Sequence, residues 1–284
     1  MDFLQVLQQY SMLFIVSAFV LGLVIGSFLN VVILRLPPLM EYTWKKDYAE
    51  FTEAKFEEPA PPGIGLDRSH CPKCKNKLHW YHNIPLISYI SLRGKCSFCS
   101  QSISIRYPFI ELLSGVLSAL MAYLYGVELQ FVAAVILVCF LITITWIDVD
   151  TFLIPDQISL SLLWFGLFFS LFEFSVPPSA AIIGALVGYL SLWSVFHLFK
   201  LITGKEGMGY GDFKLLAAGG AWLGYEQLII VLMLSSVSGL IIAVIQKLMG
   251  KTENKIPFGP YLSIGILVAY LAGDIIMDHF FTIA

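Results

Sequence analysis

The sequence predicts an all-α polytopic membrane protein of about eight transmembrane helices carrying a small cytoplasmic zinc-ribbon-like insert. Three observations predict it. Of the 284 residues, 58% are hydrophobic and only 13% are charged. Mean hydropathy is +0.80, well above the range of soluble domains. One polar stretch, residues 37–107, interrupts the apolar runs and holds four of the five cysteines.

A hydrocarbon core roughly 30 Å thick needs about 20 apolar residues per helix. By that standard the candidate spans are residues 11–34, 108–125, 131–147, 157–174, 179–199, 213–224, 227–246 and 257–276. The first has no basic segment before it and no small-residue cleavage site after it, so it is read as a retained helix. The weakest is 213–224, because twelve helical residues reach only about 18 Å. The 17 Lys and Arg decide whether to keep it. Eleven lie between Arg35 and Arg106, with the others at Lys200, Lys205 and Lys214 and at Lys247, Lys251 and Lys255. With eight crossings all 17 fall on one face, which the positive-inside rule makes cytoplasmic. Both termini and the loops near Glu128, Glu173 and Glu226 then face outward. The net charge of −3 says nothing useful about a partner; no nucleic acid is expected, and the lipid bilayer is the partner that composition demands.

The polar stretch opens at Pro37-Pro38, passes acidic residues from Glu50 to Glu58, and reaches Cys71-Pro-Lys-Cys74 and Cys96-Ser-Phe-Cys99. Two Cys-x-x-Cys knuckles at this separation match a four-thiolate zinc site, with Cys71, Cys74, Cys96 and Cys99 as ligands. A closed four-cysteine site leaves no open coordination position, so the metal is structural. Two disulfides are the competing reading, and the basic-side placement implies a reducing compartment that argues against them. Cys139, alone in an apolar helix, reads as a small core residue.

Ionisable groups at a membrane boundary are functional suspects. Asp148 ends the apolar run 133–147, and Asp212 closes Gly207-Met-Gly-Tyr-Gly-Asp212 before the next. A carboxyl pair cleaves an amide when one member takes a proton from water and the other, protonated, donates to the carbonyl oxygen. Like charges a few ångströms apart share that proton of necessity. Asp150 falls two residues beyond Asp148 and faces away if the helix continues. Asp156, after Pro155, reads as a helix N-cap. Gly207, Gly209 and Gly211 do not make a phosphate loop: no strand precedes them and no Gly-Lys-Ser/Thr follows. Close approach of an extended peptide explains them better. Pro257-Phe-Gly-Pro260 reads as either a substrate-facing kink or a plain helix start. Glu111 is expected to pair with Arg35 or Arg106, or to orient the insert.

Along nearly the whole chain these residues resemble the bacterial type IV prepilin peptidases, the leader peptidase/N-methyltransferases related to Gly-x-Gly-Asp intramembrane proteases. The resemblance rests on Gly26-Ser-Phe-Leu-Asn30, Arg68-Ser-His-Cys-Pro72 with both cysteine pairs, Asn83-Ile-Pro85 and Arg106-Tyr-Pro-Phe-Ile-Glu111. It continues in Asp148-Val-Asp-Thr-Phe-Leu-Ile-Pro-Asp156, Glu206-Gly-Met-Gly-Tyr-Gly-Asp212, Lys214-Leu-Leu-Ala217 and Pro257-Phe-Gly-Pro260. It implies cleavage, after a glycine, of the basic leader from type IV prepilins or type II secretion pseudopilins at the inner membrane, with Asp148 and Asp212 catalytic. It also implies N-methylation of the new amino terminus using S-adenosylmethionine. No Rossmann-type fingerprint accompanies that second activity, and residues 37–107 are too few for that fold. The implied organisation is a first helix (1–36), a zinc-binding insert with the methyltransferase part (37–107) and a seven-helix peptidase domain (108–284). The principal alternative is a transporter or metal-handling protein with a zinc-ribbon cap. That reading requires acids at mid-membrane depth and polar residues lining a pore, and the spans carry few of either. A noncatalytic pilus scaffold, a third reading, has no need of both aspartates.

Overall fold

The computed structural model describes residues 11–65, 67–172, 174, 176–249 and 256–281. Lys251, Lys255, Glu173 and both chain ends, which entered the charge argument, lie outside the described residues. Among the described residues the regular structure is helical, with no strand and only the isolated bridges His70 to Lys77 and Lys95 to Ser102. The chain divides into two compact units, residues 1–143 and 144–284.

In the first unit, α1 (Ser11–Phe51) packs along α3 (Arg106–Tyr125). Small residues allow it: a Cβ at Gly22 would meet Ser118 Oγ at 2.6 Å, and one at Gly26 would meet the Glu111 Cα at 2.7 Å. In lipid, where no hydrophobic force drives helices together, such close backbone contact is a main source of helix association. Asn30 Nδ2 donates to the Tyr107 carbonyl at 3.1 Å, tying the same pair of helices. With 41 residues α1 is about 61 Å long, twice the hydrocarbon thickness. It runs through Pro37 and Pro38, where composition turns polar. Each proline there lacks the N–H that a helix would use, a loss that water can compensate beyond the apolar run. The short helix α2 (Ile87–Ser91) follows a 3₁₀ turn at Trp80–Asn83.

Helix α4 (Leu129–Thr151) crosses the division between the units. The second unit continues with α5 (Asp156–Ser170), α6 (Pro178–Thr203), α7 (Tyr210–Leu223), α8 (Leu228–Leu248) and α9 (Gly259–Phe281). Each of the eight expected spans falls on one of these long helices. Six of them, α1, α3, α4, α6, α8 and α9, are long and apolar enough to cross a membrane. The other two, α5 and α7, have 15 and 14 residues. The twelve-residue span falls on α7, which is shorter than the six helices long enough to cross. Every residue from Asp212 to Leu223 except Lys214 is buried, and α6, α5 and α9 pack around the helix. A mostly apolar helix sheathed by protein need not match the lipid thickness.

Glycines set how closely these helices approach. An added Cβ at Gly184 of α6 would collide with the Gly220 carbonyl of α7, and one at Gly220 with the Gly184 carbonyl. Gly188 meets the Leu216 carbonyl at 2.6 Å in the same sense. Gly184→Ala is therefore expected to destabilise the protein by about 1–3 kcal/mol through overpacking, read as a lower thermal midpoint in detergent. Trp222 Nε1 donates to the Leu162 carbonyl at 2.9 Å, satisfying the indole while fixing α7 against α5.

Candidate active site and metal centre

Both aspartates identified in the sequence lie in the second unit and are buried, Asp148 at 5% exposure and Asp212 at 7%. Asp148 sits in the last turn of α4, where a carboxylate opposes the helix dipole. The N-terminus of α9 offsets this: the Gly259 N–H donates to Asp148 Oδ2 at 2.8 Å. Asp212 is the third residue of α7, and its Oδ2 accepts the Gly209 N–H at 3.2 Å, the acidic half of a capping box. Each carboxylate is therefore oriented by one backbone N–H from a helix start. Asp148 stands near enough for its charge to act on Asp212.

Ile154 joins the two halves. A Cβ at Gly211 would stand 2.8 Å from the Ile154 Cβ, and one at Gly259 would stand 2.7 Å from Asp148 Oδ2 and 3.1 Å from Ile154 Cδ1. On its Cβ side Gly211 is met by this side chain, whereas a Cβ at Gly209 would come no nearer than 3.6 Å to Asp212 Oδ2. Pro257-Phe-Gly-Pro260, which the sequence left between a kink and a plain helix start, holds the residue that positions Asp148. Sequence reasoning missed Gly259; a glycine between two prolines at a helix start was the available signal. Gly259→Ala keeps the N–H but places a methyl against Asp148 Oδ2. Displacing a reacting group by about 1 Å costs on the order of 10²-fold in rate, so an expected catalytic role for Asp148 predicts a fall in kcat of about that factor. An activity time course at saturating substrate reads it.

The neighbouring acids behave differently. Asp150 is exposed. Asp156, expected to cap its helix, is instead the first helical residue after Pro155, and its carboxylate accepts from Lys214 Nζ at 2.6 and 2.7 Å. That bond spends the one basic side chain near Asp212 in sequence. Between Asp148 and Asp156 the chain leaves α4 through Phe152, a non-glycine in the left-handed region at φ 55°. An aromatic residue held there is strained, a condition common beside functional groups.

In the first unit, Cys71, Cys74, Cys96 and Cys99 bring their four Sγ atoms within 4.8 Å of one another. None is in a disulfide. Cys71 Sγ and Cys99 Sγ are 3.8 Å apart, the separation of roughly 3.8 Å that two sulfurs tetrahedrally bound to zinc at about 2.3 Å would have. The two knuckles repeat one another. Cys71 N–H donates to Asn76 O and Lys75 N–H to Cys71 O, and Cys96 N–H donates to Gln101 O and Ser100 N–H to Cys96 O. Lys75 and Ser100 both take positive φ, 58° and 57°. The Cys74 backbone N–H leads in drawing the Cys71 thiol down to about 6, against the opposing effect of burial. For Cys99, the Gln101 N–H favours the thiolate, but burial and its three thiol neighbours push it up to about 11. Four thiols this close cannot all ionise without a cation among them, and a divalent metal accepting four sulfurs fits this donor set. Cys139 is free and apart from the group.

Glu111 settles on one of its expected roles. Its Oε2 accepts the Leu86 N–H at 2.9 Å, joining α3 to the polar insert. Arg35 is engaged elsewhere, with Nη1 donating to the carbonyls of Gly63 and Asp67. Of the acidic stretch, Glu58 faces Lys45 at 3.5 Å.

Fold and sites together define a multi-pass helical membrane protein with a buried aspartate pair in one unit and a four-thiol centre in the other. Residues 20–125 match the bacterial peptidase A24 N-terminal domain, and residues 135–244 match the type IV leader peptidase family. A prepilin leader peptidase/N-methyltransferase of Stutzerimonas stutzeri is 49% identical over 264 residues, covering 92% of this chain and 91% of the relative. Proteins of the same name from Xanthomonas campestris pv. campestris and Pseudomonas aeruginosa are each 46% identical, covering 93% and 96% of both partners respectively. The chain belongs to the type IV leader peptidase family. No solved structure matches it.

Proposed function

We propose that this protein is a membrane aspartic endopeptidase that cleaves the basic leader from type IV prepilins or type II secretion pseudopilins after glycine, and then N-methylates the new amino terminus. Near-complete coverage by relatives named prepilin leader peptidase/N-methyltransferase supports the activity. The observation that carries the mechanism is the buried acid pair, each member held by a helix-start N–H.

The chemistry follows from like charge at close range. The pair holds one proton in common. The ionised carboxylate takes a proton from water as that water attacks the scissile carbonyl, while the protonated partner donates to the carbonyl oxygen. Collapse of the tetrahedral species returns a proton to the leaving amine. The Gly209 and Gly259 N–H groups fix the carboxyl planes before substrate arrives, so little reorganisation is needed during the reaction.

The four cysteines hold zinc, which supplies folding energy to the insert and takes no part in bond cleavage. Methyl transfer uses S-adenosylmethionine as co-substrate. The exposed amino group attacks the sulfonium methyl, releasing S-adenosylhomocysteine and a proton. We assign this activity to residues 37–107, with residues 1–36 as the first helix and residues 108–284 as the peptidase domain. The sites face the cytoplasm of the bacterial inner membrane, a placement supported by the one-sided distribution of Lys and Arg.

The test is incubation of a purified prepilin with the reconstituted protein, followed by mass analysis of the product's N-terminus. Expected is loss of the leader after glycine, plus one methyl group only when S-adenosylmethionine is present. An intact prepilin under all conditions would overturn the proposal.

A further inference from the structure

Within the first unit, the polar insert is not merely tethered to membrane-spanning helices; one of its segments is pinned at their depth. The Glu111 carboxylate that accepts the Leu86 N–H belongs to the sixth residue of α3, about 7.5 Å along the helix axis from its start. Twenty residues make α3 about 30 Å long, so nearly its whole length is needed to cross the hydrocarbon core. On the other side of the segment, Ser27 Oγ donates to the Asn83 carbonyl at 3.4 Å, and Ser27 lies inside the apolar run 11–34 of α1. The stretch from Asn83 to Ser91 is thus fastened at both helices to levels at or just inside the membrane surface.

Beside the exposed Asn83 and Ser91, the large side chains exposed on this stretch and its flanks are apolar. Ile87 and Ile90, one turn apart on α2, are 65% and 73% exposed; Trp80 on the preceding 3₁₀ turn is 77% exposed and Ile105, the residue before α3, 73%. The opposite side of α2 is already occupied. The Tyr89 ring lies 3.0 Å from where a Gly94 Cβ would stand, and its hydroxyl donates to the Ile103 carbonyl at 3.5 Å, so Tyr89 faces the knuckle. Arg93 and Lys95 follow α2 directly and are exposed.

We infer that Trp80, Ile87, Ile90 and Ile105 form a lipid-docking surface that seats the insert in the headgroup and upper acyl region of the bilayer. Continuity with α3 fixes the occupant. Ile105 leads straight into a membrane-spanning helix, and Glu111 holds α2 beside that helix's second turn. Lipid is therefore the medium that meets this face. Trp at such a level is typical of the membrane interface, and Arg93 and Lys95 suit anionic headgroups. Docking would hold the zinc-binding insert against the surface where a membrane-anchored substrate emerges. It does not depend on the proposed peptidase chemistry.

The experiment places the photoreactive residue p-benzoylphenylalanine at Ile87 or Ile90 of the full chain, reconstituted in phosphatidylcholine/phosphatidylglycerol liposomes. Val24, an exposed position in the apolar run of α1, is the positive control. Tyr48, fourteen residues past that run on the same helix, is the negative one. Zinc content is measured in each variant to show intact knuckles. Irradiation is expected to give lipid adducts at 87 and 90 with yields approaching those at Val24 and well above Tyr48. Yields no higher than at Tyr48, or adducts to protein in place of lipid, would overturn the inference.

Discussion

Asp148→Asn and Asp212→Asn are each expected to lower the rate of prepilin cleavage by about 10²–10⁴-fold, the range typical for loss of a general acid or base. The double variant should lose little more than either single one, because residues that share a proton act as a unit. Asp150→Asn, at an exposed position, is expected to retain nearly full activity. Substituting Lys214 tests a different point. Its ammonium pairs with Asp156 and not with the acid pair, so Lys214→Met should lower cleavage far less than either aspartate change. Initial rates on a purified prepilin in liposomes, with zinc content as a folding check, read all of these. Activity surviving Asp148→Asn or Asp212→Asn would disprove the acid-pair mechanism while leaving family membership intact.

Loss of the proposed zinc is expected to have the second large effect, on structure. Apparent zinc affinities of four-ligand peptide sites correspond to about 10–16 kcal/mol, more than a segment this small gains from its own core. Cys96→Ser or Cys71→Ser should abolish stoichiometric zinc, measured by elemental analysis. Either change should also open the region between Arg68 and Ser104 to trypsin, which has Lys73, Lys75, Lys77, Arg93 and Lys95 to cut at. Strong chelation of the unaltered protein should reproduce the proteolytic pattern. A metal-free insert that stayed resistant would show that packing, and not the metal, holds it.

Much of this was legible before any coordinates. Apolar runs report helices because each backbone polar group in lipid must be satisfied within its own segment. The four cysteines were legible because zinc demands a fixed ligand set at short spacings, and their convergence within 4.8 Å follows from two local knuckles. Asp148 and Asp212 stood out because carboxylates at a membrane boundary are costly and so rarely incidental.

Other features depended on contacts between residues far apart in sequence. That α7 is wrapped by α5, α6 and α9, and so can be only 14 residues long, is a property of its neighbours. Asp156 looked like a cap by position, but Lys214, 58 residues away, claims its carboxylate. Gly259 and Asp148 are 111 residues apart, and nothing in either local segment states that one donates to the other. Sequence by itself determined the class of the protein, its helices, its cysteine cluster and its candidate acids, because hydropathy, ligand spacing and the cost of charge near lipid act through composition and short-range pattern. Only the tertiary structure decided which backbone N–H orients each carboxylate, which glycine must stay bare and which face of the insert is left exposed, because these depend on where distant segments meet in space.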